Sequence, residues 1–419
     1  MTRKATSMDE TVSPVLISWG LGADSTRILV EFLEDPAAHD LTPDLRECVV
    51  IVALTGEEWP DTMDLAEQHI LPLLARHHVR LVQVARGGPS DSDGIAVLSD
   101  TRTPSRLFRR GPWALSDELG PTGTVPQYAS KKRFCSIKFK GWVMDQWAAR
   151  EFGTMAYRHV IGYEANETDR AERDYTYASQ TRRPWYPLID WELDRTQILQ
   201  GLKERFGVVW PKSYCTMCPY PAVRASVDAH LARCRAFPEL AAAVLRLESN
   251  AIALNPRSTL YRDVSLKQLL HNDGNTAALN AFERERSAAQ WAVYEVRRVY
   301  FAGRSDHCRA NHGKSCPRPG PWCREPLRKG PAWRSVRSIH HGTQSEVMQH
   351  LHDEGRASDS PVVTIDGIPR MRFAERGETY PTAEGFLVAA PAGMADKQRD
   401  GFEAAWQKVT SFGALLLAP

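Results

Sequence analysis

The sequence predicts an α/β protein built on a doubly wound parallel sheet, with a helical extension and a small C-terminal α+β segment. Three stretches predict it. Val15-Leu16-Ile17 runs through a small-residue loop into a helix with Ile28, Leu29, Phe32 and Leu33 on one face. Residues 49–55, apolar and β-branched, read as a strand buried on both faces, followed by a polar loop and a helical pattern through Leu65, Ile70 and Leu73. Residues 79–84 read as a third strand. Strands that alternate with helices in this way imply a parallel sheet, and such sheets bind ligands at the carboxyl ends of their strands.

The 419 residues leave room for two or three domains. The spacing of elements suggests residues 14–236 as a nucleotide-binding domain, 237–302 as a helical extension, 303–330 as a Cys/His-rich linker and 331–419 as a small C-terminal domain. A net charge of +2 points to no particular partner. No apolar run approaches the length of a membrane span, so no membrane partner is expected. Residues 1–13 are polar and lack the apolar core of a signal peptide, so they read as a mobile N-terminus of a cytoplasmic protein. Eight cysteines in a chain this long suggest metal or redox chemistry rather than a disulfide scaffold.

The first loop, Ser18-Trp19-Gly20-Leu21-Gly22-Ala23-Asp24-Ser25-Thr26, carries the clearest chemistry. Gly20 and Gly22 permit a sharp turn and close approach to a ligand. Asp24, Ser25 and Thr26 fall where the helix begins, so amides and two hydroxyls converge on a point suited to phosphate. The loop lacks the Gly-Lys-Ser/Thr ending of a Walker loop and the glycine spacing of a dinucleotide fold. The second loop, Thr55-Gly56-Glu57-Glu58-Trp59-Pro60-Asp61-Thr62, lies at the corresponding strand end, with Asp61 positioned to cap the next helix.

Residues 86–130, rich in Gly, Pro, Ser, Asp and Arg, read as a lid or mobile insertion. Five cations then surround Cys135 within Lys131–Lys140; they read as a solvated basic face, or as an anion site or the edge of a nucleic-acid channel. Cations around a thiol should lower its pKa. Residues 160–170 begin as a strand and end polar, and Asp194–Phe206 reads as a helix. Cys215-Thr216-Met217-Cys218-Pro219 is a C-x2-C that fits a zinc knuckle, a redox pair or an iron–sulfur half-site. Cys234 falls on an apparent helix and reads as incidental. Residues 238–301 read as helical through Leu240, Val244 and Leu247, then Leu266, Leu269 and Leu270, then Trp291, Val293, Tyr294 and Val296. Cys308, His312, Cys316 and Cys323 have the residue types of a tetrahedral Zn2+ site, although their spacing is irregular. Beyond residue 330, Val362–Gly367 reads as a strand and turn, and Phe402–Val409 as a helix.

The first loop resembles the PP-loop of the ATP pyrophosphatases, Ser-Gly-Gly-x-Asp-Ser, with an insertion-like shift and a tryptophan, a variant met among phosphoadenylylsulfate (PAPS) reductase-like sequences. Four further segments fall in the same order as in that family. The second loop is similar to Asp-Thr-Gly-x-x-Phe-Pro-Glu-Thr. Gly162–Arg170 is similar to Gly-x-Arg-x-x-Glu-Ser-x-x-Arg. Pro187–Trp191 is similar to Pro-Leu-x-x-Trp, and the C-x2-C follows. The resemblance covers roughly residues 14–240. It implies an adenine nucleotide α-hydrolase-like fold and binding of ATP with Mg2+ by Ser18, Trp19, Gly20, Gly22, Asp24, Ser25, Thr26, Thr55, Gly56, Glu57, Gly162 and Arg173. Asp24, Ser25 and Arg170 would then serve catalysis.

Adenylylsulfate reductases carry a Cys-Cys pair and, after a similar interval, a C-x-x-C that bind a [4Fe-4S] cluster. Here Ser136 replaces the second cysteine, leaving Cys135, Cys215 and Cys218 as implied ligands. The activity implied is adenylation of an acceptor, such as a nucleic acid, with release of pyrophosphate for sulfur incorporation, as in DNA phosphorothioation or tRNA thiolation, with a cysteine desulfurase as sulfur donor. One alternative is a PAPS/APS sulfonucleotide reductase, which needs a cysteine nucleophile in a Glu-Cys-Gly-Leu-His context. Asp306-His307-Cys308 is a poor match for it. A second alternative is a nucleotide-sensing or nucleic-acid-binding subunit without turnover.

Overall fold

The computed structural model describes residues 13–126, 133–221, 226–261, 264–304 and 328–416, with side chains to residue 411. The chain divides into two compact units, one of residues 1–118 and 126–218, the other of 119–125 and 219–419. One boundary between the two units falls directly after Cys218.

In the first unit a six-stranded sheet runs in the order β4-β3-β2-β1-β5-β6, with β1 Val15–Ser18, β2 Cys48–Leu54, β3 Arg80–Arg86, β4 Ile95–Thr101, β5 Tyr157–Val160 and β6 Arg182–Trp185. All neighbours are parallel except β3 and β4. Part of the expected lid is thus an antiparallel edge strand. The apolar β2 run is buried along its whole length because both faces are covered. Val15, Ile17, Val50 and Val52 join Ile28 and Phe32 of the helix Ala23–Glu34 and Ile198 of the helix Arg195–Phe206. On the opposite face Leu16, Ile51 and Val82 pack with Val143 and Trp147 of the helix Trp142–Phe152. The chain winds outward from β1 to β3 and returns at β5, so β1 and β5 flank the point where strand order reverses. A crevice at the carboxyl ends of such strands is where open α/β sheets bind ligands.

The second unit holds a five-stranded sheet in the order β8-β7-β11-β10-β9, with β7 Trp291–Ala302, β8 Lys329–Gly342, β9 Val362–Ile365, β10 Ile368–Ala374 and β11 Thr382–Pro391. Every pairing is antiparallel. Ile252 and Leu254 of the helix Pro238–Leu254 cover one face. Val347 and Leu351 of the helix Gln344–Ala357, with Phe402 and Val409 of the helix Phe402–Leu416, cover the other.

The expectation of helix through residue 301 is corrected at Trp291. This segment is a central strand, buried on both faces, so its apolar residues show no period-2 alternation, and their near-helical spacing misled the pattern. Its β-branched and aromatic content is what suits a pleated sheet. Helices end at Ala288. The expected cap at Asp61 is also corrected. The helix Pro60–His69 has Trp59 at its cap position, and Asp61 lies in the first turn, accepting from the Thr62 amide at 2.8 Å. The expected elements over Asp194–Phe206, Val362–Gly367 and from Phe402 onward are present. Among the described residues no helix is long and apolar enough to cross a membrane.

Candidate functional site

The first loop closes with its own hydrogen bonds. Gly22, extended at φ −88°, precedes the helix Ala23–Glu34, and no side chain caps that helix. Its first amides therefore remain open, and they carry the positive end of the helix dipole. The Ser25 hydroxyl accepts from the Gly20 amide at 3.2 Å and donates to the Gly22 carbonyl at 3.4 Å. Gly20 has open space where a Cβ would stand, whereas a Cβ on Gly22 would lie 2.4 Å from Ser213 Oγ.

Leu21 stands in the turn directly before Gly22. Its φ of +58° is the left-handed backbone a glycine takes. That conformation costs a non-glycine residue about 1–2 kcal/mol. Burial of the leucine side chain, 2% exposed, gives back about 1.5–3 kcal/mol. Trp210 Nε1 donates to the Leu21 carbonyl at 3.0 Å and holds the turn.

Two residues of this stretch are engaged elsewhere. The Thr26 hydroxyl, fully buried, accepts from Trp19 Nε1 at 3.0 Å. The Ser18 hydroxyl lies 2.8 Å from His159 Nε2 and donates to Met144 Sδ at 3.5 Å. Arg182 Nε donates to His159 Nδ1 at 2.8 Å, which places the single imidazole proton on Nε2, facing Ser18. His159 is thus a donor to Ser18 and not a base that could activate it. Arg182 in turn binds both oxygens of Asp174 at 2.9 and 2.8 Å, and Tyr186 donates to Asp174 at 2.8 Å. Burial and the Arg182 charge hold His159 neutral, with its pKa down at about 3.

Asp24 lies at the centre of the charged groups. Its carboxylate takes a 2.5 Å ion pair from Arg195, which follows the capping Asp194 on the helix Arg195–Phe206. Burial raises the Asp24 pKa, the nearby Glu167 adds to this, and Arg195 and Arg170 oppose it. Arg170 stacks over Tyr163 at 4.5 Å and pairs with Glu167. Arg173 is exposed and turns back to the Asp169 carbonyl at 2.9 Å. Gly162, just beyond β5, meets the start of the helix so closely that a Cβ would stand 2.9 Å from the Ser25 nitrogen. Arg195 escaped sequence reading because a residue beside a helix cap has no distinguishing pattern.

The second loop is satisfied internally. The Glu58 carboxylate accepts from the amides of Thr55, Gly56 and Glu57 at 3.0, 3.1 and 3.2 Å, and from the Thr55 hydroxyl at 2.7 Å. Thr55 and Gly56 therefore spend their donors on a neighbour. Glu57 accepts from the Ser116 amide at 3.1 Å, and burial raises its pKa. Glu58 is a residue that sequence reading passed over, although Thr-x-x-Glu is the signature of a carboxylate folding back on its own loop.

The same loop is stitched to the C-x2-C segment. The Thr216 amide donates to the Glu57 carbonyl at 2.7 Å, and Glu58 and Cys215 form a β-bridge. With Ser213 against Gly22 and Trp210 on Leu21, residues 210–216 touch both strand-end loops. Cys135, Cys215 and Cys218 are electrostatic neighbours, and Cys215 shares a side-chain hydrogen bond with Cys218.

The expected lowering of the Cys135 pKa is corrected. Burial and the neighbouring Cys218 raise it, and among the described cations around it Lys140 opposes this. Lys138 is committed to Glu118 at 2.5 Å. Lys131 and Lys132 lie outside the described residues. Among the described residues no group of three or more His, Cys, Asp and Glu side chains is arranged to hold a metal ion. The donor chemistry of the three thiols suits a soft metal or an iron–sulfur cluster, and Cys215 and Cys218 share a hydrogen bond. Cys234 belongs to the second unit, where it is buried with its sulfur 3.9 Å from His230 Nε2. Cys308, His312, Cys316 and Cys323 lie outside the described residues.

No protein-family model, curated protein or solved structure matches this chain.

Proposed function

We propose that this chain is a PP-loop ATP pyrophosphatase that adenylates an acceptor, with nucleic acid as the acceptor class, in preparation for sulfur incorporation. The observation that carries this reading is the uncapped helix start beside Asp24, set where β1 and β5 part and closed on one side by Gly162. Open amides at a helix N-terminus favour phosphate. Asp24 offers the hard oxygen that Mg2+ takes, and Mg2+ would neutralise phosphate charge. Because Asp24 is paired with Arg195, metal binding would release that guanidinium toward the phosphates. Arg170, on the same side, adds a second cation.

In the reaction an acceptor oxygen attacks the α-phosphorus and a new P–O bond forms. The bond from the α-phosphorus to the bridging oxygen breaks, and pyrophosphate leaves with the electron pair. The loop amides and the two arginines stabilise the charge that develops on the phosphoryl oxygens. Ser25 keeps the loop closed through Gly20 and Gly22. The contact of residues 210–216 with both loops supports sulfur chemistry beside the nucleotide. No step is routed through a cluster, because the thiols do not frame one.

A sulfonucleotide reductase remains the second reading, since the same loop would accept the phosphates of PAPS. Pyrophosphate release from ATP with single-stranded DNA, duplex DNA and tRNA as acceptors tests the proposal. Turnover by the wild type, reduced about 100-fold or more in Asp24→Ala, is expected. Absence of pyrophosphate with every acceptor, together with reduction of PAPS, would overturn it.

A further inference from the structure

The face of the second sheet turned toward the helix Pro238–Leu254 gathers arginines. Arg298 on β7 and Arg370 and Arg372 on β10 place their guanidinium carbons 5.9, 5.9 and 6.0 Å from the ring centre of Phe386 on β11. Arg334 on β8 stands directly opposite Arg298 in the strand register. Like charges in that relation repel. Arg298 and Arg370 are buried, at 6% and 1% exposure, and Arg334 and Arg372 are half-buried. Burying cations without full pairing is unfavourable.

The chain offsets only part of this charge. Arg298 pairs with Glu384 at 2.5 Å. Arg298 and Arg370 also donate to the carbonyls of Leu254 and Ile252, at the end of the helix where its dipole is negative. Asp366 attracts Arg370 from the β9–β10 turn. Arg334 donates to the Thr122 carbonyl at 2.9 Å. Arg370 Nε and Nη1 are sealed from solvent and bond to no acceptor. Burial, with Arg298 as the repelling neighbour, brings Arg334 down to about 10. Arg370 is brought to about 10 by burial and by Arg372 and Arg298.

We propose that Arg298, Arg334, Arg370 and Arg372 form an anion site for a phosphate group, separate from the nucleotide loop. Guanidinium forks match the paired oxygens of phosphate. A bound phosphate supplies the acceptors that Arg370 lacks and screens the Arg298–Arg334 repulsion. Arg334 and Arg372 retain partial exposure and open the cluster to solvent. The phosphate comes either from a free ion or from a nucleic-acid backbone.

The test is thermal unfolding of the full chain titrated with inorganic phosphate at constant ionic strength, made up with NaCl. Phosphate raises the Tm by mass action. Arg334→Gln and Arg372→Gln, both at half-buried positions, weaken that binding about tenfold or more. Arg372→Lys, which keeps the charge but not the fork, falls between. An oligonucleotide that competes with phosphate in the wild type identifies a backbone phosphate as the ligand, and one that does not identifies the free ion. No rise beyond that given by NaCl, or a rise unchanged in both glutamine variants, overturns the site; the second result would assign the phosphate to the nucleotide loop.

Discussion

The six-stranded sheet runs five of its strands in one direction and gathers its distinctive groups at their carboxyl ends. The five-stranded sheet alternates direction throughout and carries its distinctive groups on a face. The difference follows from the backbone. Parallel strands return through helices, so strand ends and helix starts collect on one edge, and the site there is made of amides, glycines and short side chains. Antiparallel strands connected edge to edge bring long side chains from neighbouring strands into one row, as Arg334, Arg298 and Glu384 are, with Arg372 opposite Phe386 beside them. Main chain serves the first site and guanidinium groups serve the second.

The largest effect is expected at two glycines. A Cβ on Gly162 meets backbone, the Ser25 nitrogen at 2.9 Å and the Asp24 carbonyl carbon at 3.1 Å. A Cβ on Gly385 of β11 meets the ring of Phe373, which is 42% exposed and free to swing away. Gly162→Ala is therefore expected to cost about 1–3 kcal/mol in urea denaturation and to weaken nucleotide binding. Gly385→Ala is expected to stay within about 1 kcal/mol of the wild type, since its strain is relieved and the unfolded chain loses entropy. Equal costs at both positions would deny the first loop its dependence on close backbone contact.

A smaller effect concerns acid. His159 in the first unit and His230 in the second are both buried and neutral, with pKa values down at about 3 and about 4 from the ordinary 6.5. The unfolded chain takes up a proton near pH 6.5, and the folded chain refuses it until far lower pH. Stability present above pH 6.5 is therefore lost as pH falls toward 3 for His159 and toward 4 for His230. Each group contributes at most about 1.4 kcal/mol per pH unit in that window. His159→Gln, compared with wild type by urea denaturation at pH 7 and pH 5, should show a shallower loss. An unchanged slope would mean that His159 titrates normally and that the Ser18–His159–Arg182–Asp174 chain does not hold it neutral.

The first unit was legible where local chemistry and pattern agree. Val15–Thr26 announces a strand, a tight turn and a helix because glycines and helix-start residues follow an apolar run directly. The gathering of Cys135 with Cys215 and Cys218 became visible only through a resemblance, since no local rule links residues eighty positions apart. Arg195 was not legible, because an ion pair to Asp24 across the fold leaves no local trace. In the second unit the long strand Trp291–Ala302 was hidden by burial of both its faces, which erases alternation. The arginines on β7, β8 and β10 carry no sequence pattern that links them, and the fold brings them together.

The loop after β1 is proposed to hold ATP through the helix start and Asp24. Calorimetric titration of the anaerobic protein with Mg·ATP, and in parallel with PAPS and adenylylsulfate, tests it most directly. The account predicts that Mg·ATP binds, that the two sulfonucleotides bind more weakly, and that Asp24→Ala loses the Mg2+-dependent part of the affinity. Failure of wild type to bind Mg·ATP, or binding unchanged in Asp24→Ala, would contradict it.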